Sequence, residues 1–276
     1  EYFKENPGMR ADKYFAGKFG SRTKAAEELT AGRILKNGKV LLPKDEVSDG
    51  DEFTFLPAAE RFVSGGGYKL SAALKAFSFD CAGKTFADIG ASTGGFTDCL
   101  LQNGAKQVFA IDVGESLLDE SLKNDVRVIE MENVNARYLQ ATDFPCGLDG
   151  IVADVSFISL KHIFPVISAI LQEGKDAFTL IKPQFECEKQ GIGKSGIVKK
   201  TEHKKIVKKV LVFAAESGLE PLEITNAPIK KGKNIEYVLH LKKNGATDLQ
   251  NTISKARNER ILNEIDRILK TDTENK

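Results

Sequence analysis

The sequence has few of the side chains that build metal centres or cross-links: four cysteines and three histidines in 276 residues, none paired at a ligand spacing. Cys81, Cys99, Cys146 and Cys187 stand far apart, as do His162, His203 and His240. A structural zinc site needs such residues in closely spaced groups, so no metal is expected, and the cysteines read as free thiols. Long apolar runs are missing too. The longest, residues 210–215, has six members, against roughly 18 for a membrane-spanning helix. The opening residues lack the basic, apolar and small-residue order of a secretory signal, which with the free thiols points to the cytoplasm. Net charge is almost absent, since 40 Lys and Arg meet 39 Asp and Glu. Any charge effect must therefore come from position. Hydrophobic residues are present in ordinary measure, 41%, enough to give this length one large domain or two ordinary ones with real cores. Nothing in the sequence points to an oligomeric state.

Four segments are expected: a small α+β domain over residues 1–57, a linker over 58–63, an α/β domain over 64–245 and a helical tail over 246–276. In the first, Ser21 begins a helix whose Ala25, Ala26 and Leu29 share a face, and which ends at Gly32. Two short strands follow, Arg33-Ile34-Leu35-Lys36 and Lys39-Val40-Leu41-Leu42. Asn37-Gly38 between them is a turn that requires positive φ. Charge is sorted along this domain. Residues 10–44 carry nine basic side chains against three acidic, and residues 45–52 carry five acids and no base. An excess of six positive charges suits an anionic partner, most simply a phosphate backbone.

This arrangement resembles the RNA-binding module of ribosomal small-subunit protein S-four. Met9-Arg10-Ala11-Asp12-Lys13-Tyr14, Ser21-Arg22-Thr23-Lys24-Ala25, Ala31-Gly32-Arg33-Ile34-Leu35-Lys36-Asn37-Gly38-Lys39-Val40 and Asp49-Gly50-Asp51 match its pattern in order and spacing. The resemblance implies RNA binding, with Arg10, Arg22, Lys24, Arg33, Lys36 and Lys39 as contacts.

Beyond residue 63 short apolar runs alternate with helical segments: 85–89, 107–112, 126–129, 150–154 and 177–182. That texture predicts a parallel sheet covered on both faces. Two more strands, 222–225 and 235–241, are joined without a helix, so the last should run antiparallel. The expected fold class is α/β: a Rossmann-like, mostly parallel seven-stranded sheet with its last strand reversed, preceded by the small α+β domain.

Where the first of these strands turns into its helix stands Asp88-Ile89-Gly90-Ala91-Ser92-Thr93-Gly94-Gly95-Phe96. Ligands of open α/β sheets lie at the carboxyl ends of strands, and glycines there let the backbone approach them. The spacing is not that of a dinucleotide fingerprint, and a strand-end acid adds like charge to a pyrophosphate. A cofactor without phosphates is favoured. Asp112 ends the second strand 24 residues after Asp88, where a carboxylate can accept hydrogen bonds from both ribose hydroxyls. Together these point to S-adenosylmethionine.

The whole chain resembles the TlyA (hemolysin A) family of ribose 2'-O-methyltransferases, whose catalytic domain is FtsJ-like and belongs to class I. The matching stretches, besides residues 88–96, are Gly66-Gly67-Tyr68-Lys69-Leu70, Ala110-Ile111-Asp112-Val113-Gly114, Asn135-Ala136-Arg137, Asp154-Val155-Ser156-Phe157-Ile158-Ser159-Leu160, Ile181-Lys182-Pro183-Gln184-Phe185-Glu186 and Lys233-Asn234-Ile235-Glu236-Tyr237. The resemblance implies methylation of ribosomal RNA, free or within a ribosomal subunit. It also implies Asn135 at the cofactor and a catalytic tetrad of Lys69, Asp154, Lys182 and Glu236. Chemistry justifies those four separately. The ribose hydroxyl must lose a proton while attacking an activated methyl, which needs a base and an aligned nucleophile. A lysine serves as base where desolvation or a neighbouring positive charge disfavours its proton. Lys182, with Lys69 approaching it, is the candidate base, and Asp154 and Glu236 would hold the lysines and the hydroxyl.

Residues 182–209 hold nine lysines against three glutamates, and Lys230, Lys231 and Lys233 follow, a basic surface suited to phosphates with Lys199 and Lys200 as contacts. Gln190-Gly191-Ile192-Gly193-Lys194-Ser195-Gly196 lacks the spacing of a phosphate loop and reads as a flexible substrate loop. Gly65 replaces the family's usual Arg, and Ser195 with Lys199-Lys200 replaces a Gly and an Arg-Asp pair; these departures bear on RNA contacts and leave the tetrad intact. Three rival functions differ in class. A membrane-lytic hemolysin would need an apolar or strongly amphipathic segment, which is absent. A noncatalytic RNA-binding assembly factor would bind cofactor without consuming it. A nicotinamide dehydrogenase would need the missing phosphate fingerprint.

Overall fold

The computed structural model describes residues 8–30, 33–48, 50–55, 62–193, 195–229, 232–244 and 250–274, with side chains of the last helix described over 255–272. The helix end placed at Gly32, Asp49, linker residues 58–61, Lys194, Lys230 and Lys231 lie outside them. The chain divides into two compact units, Glu1–Arg61 and Phe62–Lys276.

Unit 1 contains helices α1 (Ala11–Tyr14), α2 (Ala16–Phe19) and α3 (Arg22–Thr30) and five short strands. β1 (Met9–Arg10) pairs with β4 (Glu46–Val47), while β2 (Ile34–Lys36) lies between β3 (Lys39–Val40) and β5 (Phe53–Phe55). The predicted helix cap is there: Lys24 N donates to Ser21 Oγ at 3.1 Å. Asn37 (φ 49°) and Gly38 (φ 77°) both adopt the left-handed turn that the hairpin needs. Ala25 and Leu29 of α3 pack with Ala11, Phe15, Ile34, Leu41 and Val47 in a small closed core.

Unit 2 is built on seven strands: β6 (Thr85–Ile89), β7 (Gln107–Ile111), β8 (Val128–Met131), β9 (Gly150–Ala153), β10 (Asp176–Ile181), β11 (Leu219–Asn226) and β12 (Tyr237–Lys243). Their order is β11-β12-β10-β9-β6-β7-β8. The five strands β6 to β10 are mutually parallel, and β12 runs antiparallel to both neighbours. The sequence reading holds here, with three shifts. β8 and β12 each start and end two residues later than expected, and β11 extends further at both ends.

Helices α4 (Gly65–Ala76), α5 (Gly95–Gln102) and α6 (Glu120–Lys123) cover one face, and α7 (Phe164–Ile170), α9 (Lys200–Glu216) and α10 (Gln250–Glu274) the other, while α8 (Pro183–Glu186) follows β10. Strand alternation sorts the core. Ile89, Ile151, Ile181 and Tyr237 belong to the cluster of α7, α9 and α10, whereas Phe86, Val152, Leu180 and Val238 pack with α4 and α5. No disulfide joins Cys81, Cys99, Cys146 and Cys187. Among the described residues no helix is long and apolar enough to cross a membrane, and no group of three or more His, Cys, Asp or Glu could hold a metal ion.

Candidate active site

The period of two along β9, β10 and β12 sets the chemistry. Val152, Leu180 and Val238 face α4 and α5, and Asp154, Lys182 and Glu236 continue the same phase at one edge of the sheet. Lys69 comes to that edge from α4, four residues after the helix start. The structure brings all four together. Lys69 Nζ lies 2.6 Å from Glu236 Oε2 and 3.8 Å from Asp154 Oδ2, and Lys182 Nζ lies 2.6 Å from Asp154 Oδ1. Lys182 Nζ also donates to Ser156 Oγ at 2.7 Å. The result is a continuous line, Glu236, Lys69, Asp154, Lys182, Ser156, in which every ammonium has a carboxylate partner. Side chains of the four charged residues keep between 11% and 22% of their surface, so they are reachable yet shielded enough for charge-assisted bonds to hold them in register.

The strand order reverses between β6 and β9, and the glycine turn sits at that switch point. Gly90 has φ 83°, and a Cβ there would stand 3.0 Å from the Asp154 carbonyl oxygen. Glycine is required on both counts. A cavity of about 720 Å³ opens beside it, with Gly90, Ser92, Asp112 and Asn135 in its wall together with Val113, Leu117 and Phe157. Asp112 receives the Ser92 and Gly114 amides at 2.9 Å each, and Asn135 accepts from Arg137 N. A second cavity, of about 170 Å³, carries Ala91, Thr93, Gly95 and Phe96 and reaches Asp154 and Lys182. It shares Gly90, Ser92, Asp154 and Ser156 with the first.

Asp88 and Gly94 line neither cavity. Asp88 is fully buried beneath the turn, with Oδ2 accepting from Thr97 N at 2.9 Å and Thr97 Oγ1 at 2.7 Å, while Oδ1 has no partner. Burial pushes its carboxyl up to about 7 against the Thr97 bonds, with the nearby Asp154 and Asp112 adding to the rise.

On the other side of the lysine–carboxylate line a third cavity, of about 620 Å³, is walled by Tyr68, Lys69, Gln184, Gly196, Ile197, Asn234 and Glu236. Around residue 196, where a flexible loop is expected, the described residues are hydrogen-bonded. Ile192 bridges to Val198, and Asn234 accepts from Val198 N at 2.8 Å and donates to Gly196 O at 3.1 Å. The loop after β9 is fixed too, because buried Glu186 accepts from Leu160 N and Ser159 Oγ, each at 2.7 Å. Within it Phe157 adopts φ 63°, a strained value for an aromatic residue, and stands 91% exposed against Phe185 with ring centroids 5.1 Å apart.

Several predicted RNA contacts are engaged inside the fold. Arg10 and Arg22 both reach Asp12, and the Arg10 bond leads in holding that carboxyl down at about 2. Arg33 pairs with Glu28 at only 12% exposure, Lys36 with Asp51 and Lys200 with Asp272 of α10. Lys24 and Lys39 are exposed, as is Lys199, which donates to Gln190 O. The sequence reading missed Ser156, Tyr68, Gln184 and the apolar wall of Val113 and Leu117. Ser156 and Tyr68 lay inside stretches already singled out, whereas an apolar cavity wall has no pattern distinct from core.

Reversed seventh strand, switch-point glycine turn and acids on adjoining strand ends together define a Rossmann-like class I methyltransferase. Comparison with known proteins narrows this. Residues 62–243 match the FtsJ-like methyltransferase domain, and the chain belongs to that family. It is 43% identical over 225 residues to YqxC of Bacillus subtilis, named as a candidate rRNA methyltransferase, covering 80% of both chains. It is 39% identical over 226 residues to the 16S/23S rRNA (cytidine-2'-O)-methyltransferase TlyA of Mycobacterium tuberculosis, covering 80% of this chain and 84% of that one. Among solved structures, a candidate hemolysin from Streptococcus thermophilus superposes with a TM-score of 0.68 at 36% identity, covering 97% of this chain and 99% of that one.

Proposed function

We propose that this chain is a cytoplasmic enzyme that transfers a methyl group from S-adenosylmethionine to a ribose 2'-hydroxyl of ribosomal RNA. The observation that carries the reading is the line Glu236, Lys69, Asp154, Lys182 standing where the cavities around the glycine turn meet the cavity beyond Lys69. The cofactor fits the residues present. Two joined cavities hold the strand-end acid Asp112 and Asn135 beside the glycine turn, and Gly90, having no Cβ, lets that turn close on the Asp154 backbone at their wall. Asp112 and Asn135 would hold the nucleoside, and residues 90–96 the amino-acid end. Asp88 supports that loop from below through Thr97. When bound, S-adenosylmethionine supplies a methyl group already activated on a sulfonium.

The chain's own task is to orient the ribose and take its proton. Lys182 is the base in this reading: in its neutral amine form its Nζ, beside the small cavity and aligned by Asp154 and Ser156, takes the hydroxyl proton and becomes the ammonium that Asp154 holds. Lys69, held by Glu236, orients the hydroxyl from the side of the 620 Å³ cavity. Exposed Phe157, packed against half-buried Phe185, suits stacking on an unpaired base. For RNA contacts we retain Arg10, Arg22, Lys24, Lys36 and Lys39 in unit 1 and Lys199 in unit 2; Arg33 is assigned to the fold because only 12% of its side chain is exposed beside Glu28, and Lys200 because it ties α9 to both Asp272 and the Leu269 carbonyl of α10. The test is to incubate each purified ribosomal subunit, and its deproteinised RNA, with labelled S-adenosylmethionine and the protein, then map 2'-O-methyl positions. Cofactor binding without transfer to any of these would favour an assembly factor instead.

A further inference from the structure

Tyr237 follows Glu236 directly and, by strand alternation, faces the opposite side of the sheet. There it is fully buried among α9 and α10. Its hydroxyl lies 2.8 Å from His203 Nδ1 on α9. His203 is itself 2% exposed, its ring also hydrogen-bonds to the Val198 backbone, and burial holds its pKa below the usual value. The neutral ring therefore donates to Val198 and accepts from Tyr237 O–H, which satisfies both nitrogens. Val198 N in turn donates to Asn234 Oδ1, so the contacts close a ring: Glu236–Tyr237, His203, Val198, Asn234 and back along the chain to Glu236.

Behind this ring stands α10, outside the stretch shared with the family domain. Its Asp272, 7% exposed, pairs with Lys200 at 2.5 Å and acts electrostatically on both His203 and Tyr237. Lys204 pairs with Asp266, and Ile261, Ile265 and Ile268 bury against α9 and the sheet. A catalytic carboxylate next to a residue anchored this firmly has little freedom of its own.

We infer that His203 and Tyr237, backed by Asp272 of α10, are positioning residues that hold Glu236 against Lys69 and fix both walls of the 620 Å³ substrate cavity, residues 196–198 and 234–236. The inference rests on the methyl-transfer reading above and adds to it where the precision of the site comes from. Removing the Tyr237 hydroxyl leaves a buried acceptor on His203 unpaired, a defect relieved by shifting α9 or the start of β12. A shift of under an ångström at Glu236 matters to the rate, because misplacement on that scale can cost up to about 100-fold.

The experiment compares the full-length wild type with Tyr237→Phe, His203→Ala and His203→Asn, the last keeping an acceptor near the Nδ1 position. Thermal midpoint, Kd for ribosomal RNA by filter binding, calorimetric cofactor Kd and the single-turnover rate with labelled S-adenosylmethionine are measured on each. Tyr237→Phe and His203→Ala are expected to slow transfer about tenfold with cofactor Kd within about twofold, and the double variant to be no slower than the worse single one. His203→Asn should recover most of the rate. Should the buried variants fail to fold, Asp272→Asn carries the same rate test from outside the sheet. Wild-type rates in folded variants with a lowered thermal midpoint would make the bond purely structural and overturn the inference; so would additive losses in the double variant. A wild type that methylates neither subunit nor its RNA sinks the underlying reading, and this inference with it.

Discussion

Lys182 is the base in the proposed reaction, and its neighbours define a sharp test. Asp154 and Ser156 fix its Nζ, so Lys182→Ala should leave cofactor affinity nearly unchanged while transfer falls by about 100- to 10,000-fold, the usual worth of a positioned base. Lys182→Arg separates charge from base, because arginine keeps its proton at neutral pH. A wild-type single-turnover rate in Lys182→Arg would make Lys182 an electrostatic clamp and pass the base role to Lys69 or water. Asp88 gives a second prediction at this scale. Its folded pKa of about 7 lies above that of an unfolded aspartate, so the folded state holds the proton over the interval between them. Stability from this group is full below the unfolded pKa of about 3.9 and declines as pH rises toward 7. Asp88→Asn preserves an acceptor for Thr97 and removes the titration. Urea midpoints should show the wild type losing ground to Asp88→Asn between pH 5 and pH 8; parallel profiles would mean the buried carboxyl is ionised throughout.

Among the elements, the junction of α4 with α5 is a point of close backbone approach in the site. A Cβ on Gly95 would stand 2.8 Å from Gly67 N and closer still to Ser64 Oγ. Gly95→Ala should therefore push α4 from the glycine turn, costing about 1–3 kcal/mol of stability as an overpacked contact does. Because α4 carries Lys69, transfer should suffer along with cofactor affinity. Retained affinity, rate and thermal midpoint in that variant would show that the helices part without consequence. The elements also show where the sequence was readable. β6, the Asn37-Gly38 hairpin and the reversed β12 are specified by local pattern: alternation, positive φ and the lack of a crossover. β8 was misplaced by two residues because Val126, 96% exposed, belongs to the preceding turn despite its β-branched side chain. Propensity there was overruled by the register that β7 imposes, where Val108 pairs with Val128.

Over the whole molecule, two units with separate cores imply separable roles. Unit 2 contains every cavity described above, and unit 1 carries the sorted basic charge. Removing residues 1–57 should leave the calorimetric cofactor Kd nearly unchanged and weaken RNA binding. Each lost phosphate contact should flatten the slope of log affinity against log salt by roughly 0.7 to 0.9. An unaltered slope in the shortened protein would place RNA binding in unit 2 alone.

By itself the sequence determined the class of the protein and picked out the residues proposed as reactive. Strand periodicity, glycines at a strand end and acids on the next strand are local signals, and the motifs around Asp154, Lys182 and Glu236 are distinctive as strings. Only the tertiary structure decided which of those residues meet. Lys69 and Glu236 stand 167 positions apart and reach 2.6 Å because α4 packs on the face that β12 shares with β9 and β10. It also decided which basic residues remain outward. Arg33 and Lys200 resemble Lys39 and Lys199 in composition and charge, but Glu28 and Asp272 fold onto the first two. Charge along a chain is a one-dimensional quantity, and whether it faces solvent, a phosphate or a carboxylate depends on contacts between elements that no window of sequence contains.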